Sequence, residues 1–376
     1  MLSSFPAPVW VADPAGLSQM ARALASQPRL AVDTESNSLY AFREQVCLIQ
    51  FSSSRTDYLV DPLALRDLSE IAPLFSNPDI EKVFHAVEYD QICLKRDFGI
   101  KIVNIFDTMQ AARILGYKQV GLDSMLAEKL GLSMDKRYQK ADWGKRPLSP
   151  EMLNYARLDT HHLLALRDCL HAELVQRGRW QLACEEFTRL AAGNDGNGRA
   201  DLPAWQRVKG IRDLSRQQLA ILHELCAWRD AQAERMDRPV FKVMDDKRLV
   251  AIALAAPKNE ADLEALNLTN RQIYIFGGDI LKAVGRGRKA APIQRPHADR
   301  PDPHFLNRLN ALSGWRKEVA LKMEVESDVV LPKPWMHAIA EQNPHSMEAL
   351  SALMPQSPWR LEKYGGQILK VLQGAK

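Results

Sequence analysis

The second half of the chain contains two similar segments in the same order. Residues 222–234 read LHELCAWRDAQAE and resemble residues 309–321, which read LNALSGWRKEVAL. Further on, residues 277–284 (GGDILKAV) resemble residues 365–372 (GGQILKVL). Self-similarity that keeps its order is the mark of a duplicated structural unit. Apolar residues recur at helical spacing in both copies, so the repeat predicts two all-α domains of about 80 residues each.

The residues before the repeat mix the patterns of strands and helices. Short runs such as RLAVDTE and VCLIQFS are typical of strands, and amphipathic helical patterns lie between and after them. We therefore predict an α/β domain over residues 1–190, for which the sequence does not give the strand order. The helical domains are predicted at residues 210–288 and 303–376, with linkers at 191–209 and 289–302.

The second linker lies in a basic, Pro- and Gly-rich stretch that starts at residue 285. Residues 285–303 read GRGRKAAPIQRPHADRPDP. Such a composition is typical of a solvated tether between domains. It is also compatible with a non-specific contact to phosphate groups, and the sequence leaves both interpretations open.

The composition narrows the class of protein. The chain has 376 residues, a formal net charge of +4 and 46% hydrophobic residues, which is enough apolar material for cores in two or three domains. The mild positive charge permits a polyanionic partner without requiring one. The five cysteines show no CxxC spacing, and neither a secretory signal nor an apolar stretch of membrane-spanning length occurs. We expect a cytoplasmic protein with reduced thiols and no membrane partner.

One predicted helix places a carboxylate among apolar side chains. Residues 148–170 read as a single amphipathic helix, with Ser149 at the N-cap and Pro150 in the first turn. Asp159 falls in the inward row of this helix, and Tyr155 lies one turn earlier. Burying an unpaired carboxylate costs several kcal/mol, so Asp159 needs a hydrogen-bond partner, a cation or a metal.

A pair of acids lies at the end of a predicted strand. Side chains alternate between the faces of a strand, so Asp33 and Glu35 in RLAVDTES share one face, roughly 6–7 Å apart along the backbone. Two such carboxylates repel unless a cation lies between them, and divalent ions such as Mg²⁺ and Mn²⁺ prefer oxygen ligands. Taken alone, the pair is weak evidence for a metal site, because acidic pairs are common at strand ends.

Two further acids follow strand-like runs. The stretch FHAVEYD opens a helix that carries Asp90, and a carboxylate in a first helical turn is already explained by the helix dipole. His85 in the same stretch is interpreted as a hydrogen-bonded structural residue. Asp107 precedes Thr108 and another predicted helix, where helix capping accounts for it.

The order and spacing of these residues resemble the tyrosine-bearing branch (DEDDy) of the DEDD 3′→5′ exonuclease superfamily. Residues 32–53 (VDTESNSLYAFREQVCLIQFSS) are similar to its first motif, residues 84–90 with 104–116 to its second, and residues 153–160 (LNYARLDT) to its third. The helical repeat resembles the HRDC domain. A DEDDy domain followed by two HRDC domains is the arrangement of bacterial ribonuclease D. The resemblance implies an α/β ribonuclease H-like domain, with a mixed sheet flanked by helices, followed by two all-α HRDC domains.

The same resemblance implies the composition of the active site. It assigns the metal-binding acids as Asp33, Glu35, Asp90 and Asp159, and favours Asp90 over Asp107 because the family's motif places that acid shortly after the strand and its histidine. Two divalent cations, Mg²⁺ or Mn²⁺, are implied, with no organic cofactor. Asp33 would bridge both, Glu35 and Asp159 would bind the one that holds water, and Asp90 would act on the other. Tyr155 would orient the attacking water.

The implied reaction is hydrolysis of RNA from a free 3′ end, with release of 5′-mononucleotides. Precursor tRNA is the implied substrate, and the implied enzyme is a monomer. The sequence leaves two alternatives. A DNA 3′→5′ exonuclease of the proofreading or Werner type shares the same acids. A non-catalytic nucleic-acid-binding module would keep the fold, although the presence of all four acids and the tyrosine argues against it.

A basic segment near the third motif is a candidate for contacting the substrate. Residues 135–149 read DKRYQKADWGKRPLS. Interleaved basic and aromatic side chains suit a single strand, since cations contact phosphates and rings stack on bases. The candidate residues are Lys136, Arg137, Lys140, Trp143, Lys145 and Arg146, with Tyr138 among them. The alternative is a flexible surface loop anchored by a buried tryptophan.

Overall fold

The computed structural model describes residues 6–65, 67–193, 202–294 and 302–375. These residues form two compact units. The larger unit comprises those within 1–35, 46–194 and 299–376, and the smaller unit comprises those within 36–45 and 195–298. The predicted linkers fall partly on residues 194–201 and 295–301, which lie outside the described residues.

A mixed sheet forms the centre of the larger unit. Its strands are β1 (Val9–Val11), β2 (Arg29–Ser36), β3 (Val46–Ser52), β4 (Asp57–Val60), β5 (Glu81–Phe84) and β6 (Ile105–Asp107). The spatial order is β1-β4-β3-β2-β5-β6. β1 is parallel to β4, and β5 is parallel to both β2 and β6, whereas β3 and β4 are antiparallel. All seven residues of β3 are buried, as expected for a strand covered on both faces.

Helices cover this sheet, which confirms the predicted fold class. They are α1 (Pro14–Ala25), α2 (Pro62–Leu65), α3 (Ala72–Ser76), α4 (Glu88–Phe98), α5 (Thr108–Leu115), α6 (Leu122–Leu130), α7 (Pro150–His161), α8 (Leu163–Gln176) and α9 (Trp180–Ala192), with a 3₁₀ turn at Ser69–Ile71. As predicted, Ser149 caps α7, because its side chain accepts a hydrogen bond from the Met152 amide at 3.2 Å.

The prediction of one continuous helix over residues 148–170 is wrong, because α7 ends at His161 and α8 begins at Leu163. The two helices pack against different neighbours. Ala156 on α7 belongs to a small cluster with Leu48 and Trp143, whereas Leu166 on α8 lies in the main core. Each helix therefore follows its own packing surface.

The first helical copy and the chain segment 36–45 make up the smaller unit. Its helices are α10 (Ala204–Arg207), α11 (Arg216–Arg235), α12 (Val240–Val243), α13 (Asp246–Ala255), α14 (Glu260–Glu264) and α15 (Asn270–Lys289), with a 3₁₀ turn at Ile211–Asp213. Phe42 packs against its core, and the Phe42 amide donates to Asp237 Oδ1 at 3.0 Å. Arg43 pairs with Glu234 at 2.9 Å. The chain that leaves Glu35 thus enters the smaller unit at once.

Residues 285–289 are not a linker, contrary to the sequence interpretation, but the last turn of α15. Gly287 explains the error. A Cβ added at Gly287 would lie 2.4 Å from Ile221 Cα, so the glycine is needed where α15 crosses α11 closely. Gly287 therefore serves helix packing. Composition alone does not distinguish such a glycine from one in a flexible linker.

The second helical copy belongs to the larger unit. Its helices are α16 (Pro303–Met323), α17 (Ser327–Val330), α18 (Lys333–Gln342), α19 (Met347–Leu353) and α20 (Pro358–Gly374). Arg360 is fully buried and pairs with Glu185 and Glu186 of α9 at 3.2 Å each. The Arg360 guanidinium also donates to the Val329 carbonyl at 3.0 Å. These contacts attach the last helix of this copy to the exonuclease-like domain. Within the described ranges, no helix combines the length and apolar character needed to cross a membrane.

Candidate active site

Four acids from three elements lie near one end of the sheet. Asp33 and Glu35 project from β2, Asp90 lies in the first turn of α4 after β5, and Asp159 lies in the last turn of α7. The hydroxyl of Thr34 donates to Asp90 Oδ1 at 2.5 Å, which ties α4 to β2. Asp90 is buried, and the other three acids are partly exposed. The predicted acids, although far apart in the chain, are therefore brought into one region.

The charges of these acids act on one another. Burial, followed by the charge of Asp159, holds the pKa of Asp33 well above its ordinary value. The pKa of Glu35 is raised well above its ordinary value by burial and then by Asp33, Asp159 and Asp90. Burial and Asp33 also raise the pKa of Asp90, and burial raises the pKa of Asp159 to about 7. Like charges that cannot separate disfavour ionisation in this way.

The donor set fits a hard divalent cation in its chemistry. All four donors are carboxylates, which Mg²⁺ and Mn²⁺ prefer. No lysine or arginine pairs with Asp33, Glu35, Asp90 or Asp159 in the part of the chain that the structure describes. Among those residues, however, no three or more His, Cys, Asp or Glu side chains are arranged so that they could hold a metal ion as they stand. The charges favour a cation, and the side-chain positions do not form a finished coordination set.

Tyr155 lies one helical turn before Asp159 and is held by two aromatic rings. Its ring centroid lies 6.0 Å from that of Tyr138 and 6.1 Å from that of Trp143. Burial raises the pKa of the Tyr155 phenol, and the charges of Asp159, Glu35 and Asp33 raise it further. The phenol therefore keeps its proton at neutral pH, and it can donate a hydrogen bond but cannot act as a base.

Asp107 is a helix cap, as the sequence predicted. Its carboxylate accepts hydrogen bonds from the backbone amides of Ala86 at 3.2 Å, Val87 at 2.8 Å and Gln110 at 3.0 Å. These three donors occupy both oxygens. Asp107 thereby joins the turn before α4 to the start of α5. This structural role supports the choice of Asp90 over Asp107 as the acid of the second motif.

His85 has the structural role predicted for it. Its Nδ1 lies 2.9 Å from the hydroxyl of Thr108, and burial lowers the pKa of the imidazole to about 4. The ring is therefore neutral at physiological pH and is part of the packing around the start of α5.

A buried polar cluster, which the sequence did not reveal, anchors α7 to the sheet. Asp57 on β4 accepts hydrogen bonds from Arg157 Nε at 2.7 Å and from the Ser52 hydroxyl at 2.7 Å, and it lies 2.8 Å from His161 Nδ1. The hydroxyls of Ser52 and Thr160 are 2.7 Å apart. These contacts attach α7 to β3 and β4 and so restrict its rotation about the helix axis. The only sequence signal was the i, i+4 spacing of Arg157 and His161.

Two members of the predicted RNA-binding segment are structural instead. Trp143 is 1% exposed, and its ring packs against Tyr155, so it cannot stack on a base. Arg146 pairs with both carboxylate oxygens of Asp61 at 2.7 Å and donates to the Cys47 carbonyl at 2.6 Å. These contacts support the alternative of a segment anchored by its tryptophan.

The other basic residues of the segment are exposed. Lys136 pairs with Asp123 at 2.7 Å, Arg137 with Asp135 at 2.6 Å, and Lys140 and Lys145 also project to solvent. A cavity of about 310 Å³ lies beside Arg137 and Tyr155. Its lining comprises Met134, Asp135, Arg137, Tyr138, Pro150, Glu151, Asn154, Tyr155 and Leu158.

Comparison with known proteins identifies both parts of the chain. A family of 3′-5′ exonuclease domains matches residues 8–175, and the HRDC domain matches residues 218–284 and 305–372. A ribonuclease D from Pseudomonas paraeruginosa is 32% identical over 380 residues, which cover 97% of this chain and 98% of that protein. Protein RRP6-like 3 from Arabidopsis thaliana is 31% identical over 349 residues, but the chain spans only 38% of its length. The crystal structure of Escherichia coli RNase D shares the fold, with a TM-score of 0.68 at 23% identity, over 98% of this chain and 99% of that one.

The fold and the site define the class of protein as a 3′→5′ exonuclease domain joined to two HRDC domains. The match over nearly the full length of both chains is more specific. The chain belongs to the ribonuclease D family, and it is a hydrolase that acts as a 3′→5′ exoribonuclease. The exonuclease fold of this family generally depends on divalent metal ions. The resemblance predicted from the sequence is thus confirmed.

Proposed function

We propose that this chain shortens RNA such as precursor tRNA one nucleotide at a time from the 3′ end and releases 5′-mononucleotides. The observation that carries the proposal is that Asp33, Glu35, Asp90 and Asp159 lie in one region with no cationic side chain paired to them in the described part of the chain. Burial first, and then the charges of neighbouring acids, raise the pKa values of Asp33, Glu35 and Asp90. The E. coli relative is described as an exoribonuclease involved in structured RNA processing, which supports a structured substrate here.

The four acids are proposed to hold two divalent cations, Mg²⁺ or Mn²⁺. When bound, such a pair supplies an activated water and neutralises the charge of the leaving 3′ oxygen. Asp33, Glu35, Asp90 and Asp159 would hold these cations. Their positive charge would offset the repulsion between the carboxylates, which adds to burial in raising the pKa values of Asp33, Glu35 and Asp90.

Tyr155 is proposed to orient the attacking water. Because its phenol remains protonated, it donates a hydrogen bond to the water oxygen and leaves the deprotonation to other groups. The stacking of Tyr138 and Trp143 against its ring keeps the hydroxyl in place. Replacing Tyr155 with Phe is therefore expected to slow turnover more than it weakens RNA binding.

The cavity beside Tyr155 is proposed to accept a base near the 3′ end. Its volume of about 310 Å³ falls in the usual range of small-ligand sites, and Tyr138 and Leu158 give it apolar walls. The exposed Lys136, Arg137, Lys140 and Lys145 are proposed to contact the phosphates of the same strand.

The test is digestion of a precursor tRNA that carries a 3′ extension, with and without Mn²⁺, followed by mapping of the 3′ ends. Stepwise shortening that needs the metal supports the proposal. Glu35→Gln is expected to abolish it, and Glu128→Gln, an exposed residue on α6, is the matched control that should retain it. Equal digestion of a DNA strand of the same sequence would contradict the RNA assignment.

The protein is further proposed to work as a cytoplasmic monomer. None of the five cysteines, all of which lie in the described ranges, forms a disulfide bond, which supports a reducing compartment. Sedimentation equilibrium tests the monomer assignment, since a mass of twice 42.4 kDa would contradict it.

A further inference from the structure

One face of α15 in the smaller unit is exposed and carries both cations and an aromatic ring. At 100° per residue, positions 271, 274, 275, 278, 282, 286 and 289 lie within about 60° of a single line along the helix. All of them are exposed. We call this surface the α15 face, and its residues are Arg271, Tyr274, Ile275, Gly278, Lys282, Arg286 and Lys289.

Tyr274 is the most prominent residue of the α15 face. Its side chain is 92% exposed, whereas Ile273 and Phe276 next to it are buried in the core of the unit. One turn further on, a Cβ added at Gly278 would meet no atom of another described element within 4 Å, so this part of the helix surface is open. Tyr274 thus contributes no packing to its own domain, and its ring is open to a ligand that stacks.

The cations of the α15 face can be released from their partners in the protein. Lys282 is 74% exposed and pairs with Asp279 at 3.3 Å, and Arg286 is 57% exposed and pairs with Glu224 at 2.6 Å. Exposed pairs of this kind contribute about 0–1 kcal/mol, so a phosphate can replace the carboxylate. Arg271 and Lys289 form no ion pair in the described part of the chain. Together the cations extend over about 27 Å of helix at 1.5 Å per residue.

The second HRDC copy shows that the fold does not require this surface. When Gly277 is aligned with Gly365, Tyr274 corresponds to Glu362 and Arg286 to Gly374 in α20. Among the aligned cations of the α15 face, only Lys282 has a lysine in the second copy, Lys370, and Ile275 corresponds to the exposed Lys363.

The starts of the two corresponding helices also differ in what they contact. Arg271 corresponds to Trp359, whose amide donates to Glu185 of α9, and the next residue is the buried Arg360. The second copy therefore uses the start of its last helix for attachment to the exonuclease domain, whereas the first copy leaves the same positions open to solvent.

We propose that the α15 face binds a single-stranded segment of the RNA substrate, with Tyr274 stacked on a base and the cations on phosphates. Interleaved cations and an exposed ring are what sequence-tolerant binding of a single strand requires. The proposal rests on the proposed function for the identity of the ligand. It assigns RNA binding to the first HRDC copy and a structural role to the equivalent helix of the second.

The experiment measures the affinity of the full-length protein for a fluorescent single-stranded RNA 30-mer in EDTA, by anisotropy over a series of salt concentrations. Tyr274→Ala is expected to weaken binding about fivefold or more, and Tyr274→Phe to retain it, because stacking needs the ring and not the hydroxyl. Lys282→Gln is expected to reduce the slope of log K against log salt by about 0.7, as one lost phosphate contact on a single strand predicts. Lys370→Gln is the matched control and should change neither value.

Two outcomes separate this inference from the proposed function. In the first outcome, the wild-type protein shortens a five-nucleotide RNA with Mn²⁺, which leaves the proposed function standing. If Tyr274→Ala and Lys282→Gln then bind the 30-mer as tightly as wild type does, the α15 face is not the RNA-binding surface. If the wild-type protein fails to shorten any RNA, the proposed function is wrong, whatever the binding data show. Unchanged thermal unfolding of the variants is the check on folding, since all the substituted side chains are exposed.

Discussion

Replacing Asp159 with Asn should stabilise the metal-free protein and abolish its activity. The pKa of Asp159 rises from 3.8 to about 7 in the folded protein because the side chain is buried. The folded state therefore binds more protons than the unfolded state between about pH 4 and pH 7. In that window the free energy of unfolding falls as the pH rises, and at pH 8 the full penalty is present.

The size of the effect follows from the shift in pKa. At about 1.36 kcal/mol per unit, a rise from 3.8 to about 7 corresponds to roughly 4 kcal/mol. The Asp159 side chain is partly exposed, and solvent screens its charge, so we expect a gain of about 1–3 kcal/mol for the neutral, isosteric Asn. Little gain is expected at pH 4, where the wild-type carboxyl is already protonated.

The assay is chemical denaturation in EDTA at pH 4 and pH 8, combined with 3′-end digestion in Mn²⁺. Mn²⁺ should stabilise the wild type at pH 8 by binding to the folded state, and it should stabilise Asp159→Asn much less. Glu128→Gln on α6 is the control and should behave as wild type in every arm. A variant that is less stable than wild type at pH 8, or that digests RNA at a similar rate, would refute the electrostatic reasoning.

Three further predictions concern residues that support the site or the domains. Asp107→Ala should lower the free energy of unfolding by about 2 kcal/mol or more, because it removes the α5 cap and leaves the Ala86 and Val87 amides without their acceptor. Denaturant melts of this variant, compared with those of Asp107→Asn, measure the loss. Gln50→Leu should raise the free energy of unfolding by about 1–3 kcal/mol, since neither amide atom of the buried Gln50 has a hydrogen-bond partner among the described residues. A loss of stability in the same melts would contradict this prediction. Arg360→Met should destabilise the protein by about 3–5 kcal/mol, because it leaves Glu185 and Glu186 without their buried partner. The double variant that also carries Glu185→Gln should recover part of this loss in the same melts.

The parts of the site that depend on spacing along one element could be predicted from the sequence. Period-two alternation placed Asp33 and Glu35 on one face, and helical spacing paired Tyr155 with Asp159. The cap at Asp107 followed from its position before a helix. Each of these inferences needs only local geometry, and the family resemblance supplied the remaining acid, Asp90.

The parts that depend on contacts between distant residues could not be predicted. The Asp57 cluster joins residues about a hundred positions apart. The division of one predicted helix into α7 and α8 follows the packing of Ala156 and Leu166 in different clusters, which local spacing does not reveal. Gly287 looked like a flexible residue until its closeness to Ile221 was known. Trp143 and Arg146 fitted an RNA-binding pattern, but the first is buried and the second is bound to Asp61. The two three-residue edge strands, β1 and β6, were too short to give a periodic signal.

Asp33, Glu35, Asp90 and Asp159 are proposed to form one site in which bound divalent cations offset the repulsion between the carboxylates. Calorimetric titration of Mn²⁺ into the metal-free protein at pH 8 tests it most directly. We expect the wild type to bind two Mn²⁺ ions per chain and Asp33→Asn to bind neither. A wild-type protein that binds no Mn²⁺, or an Asp33→Asn variant that binds it with unchanged affinity and stoichiometry, would contradict the claim.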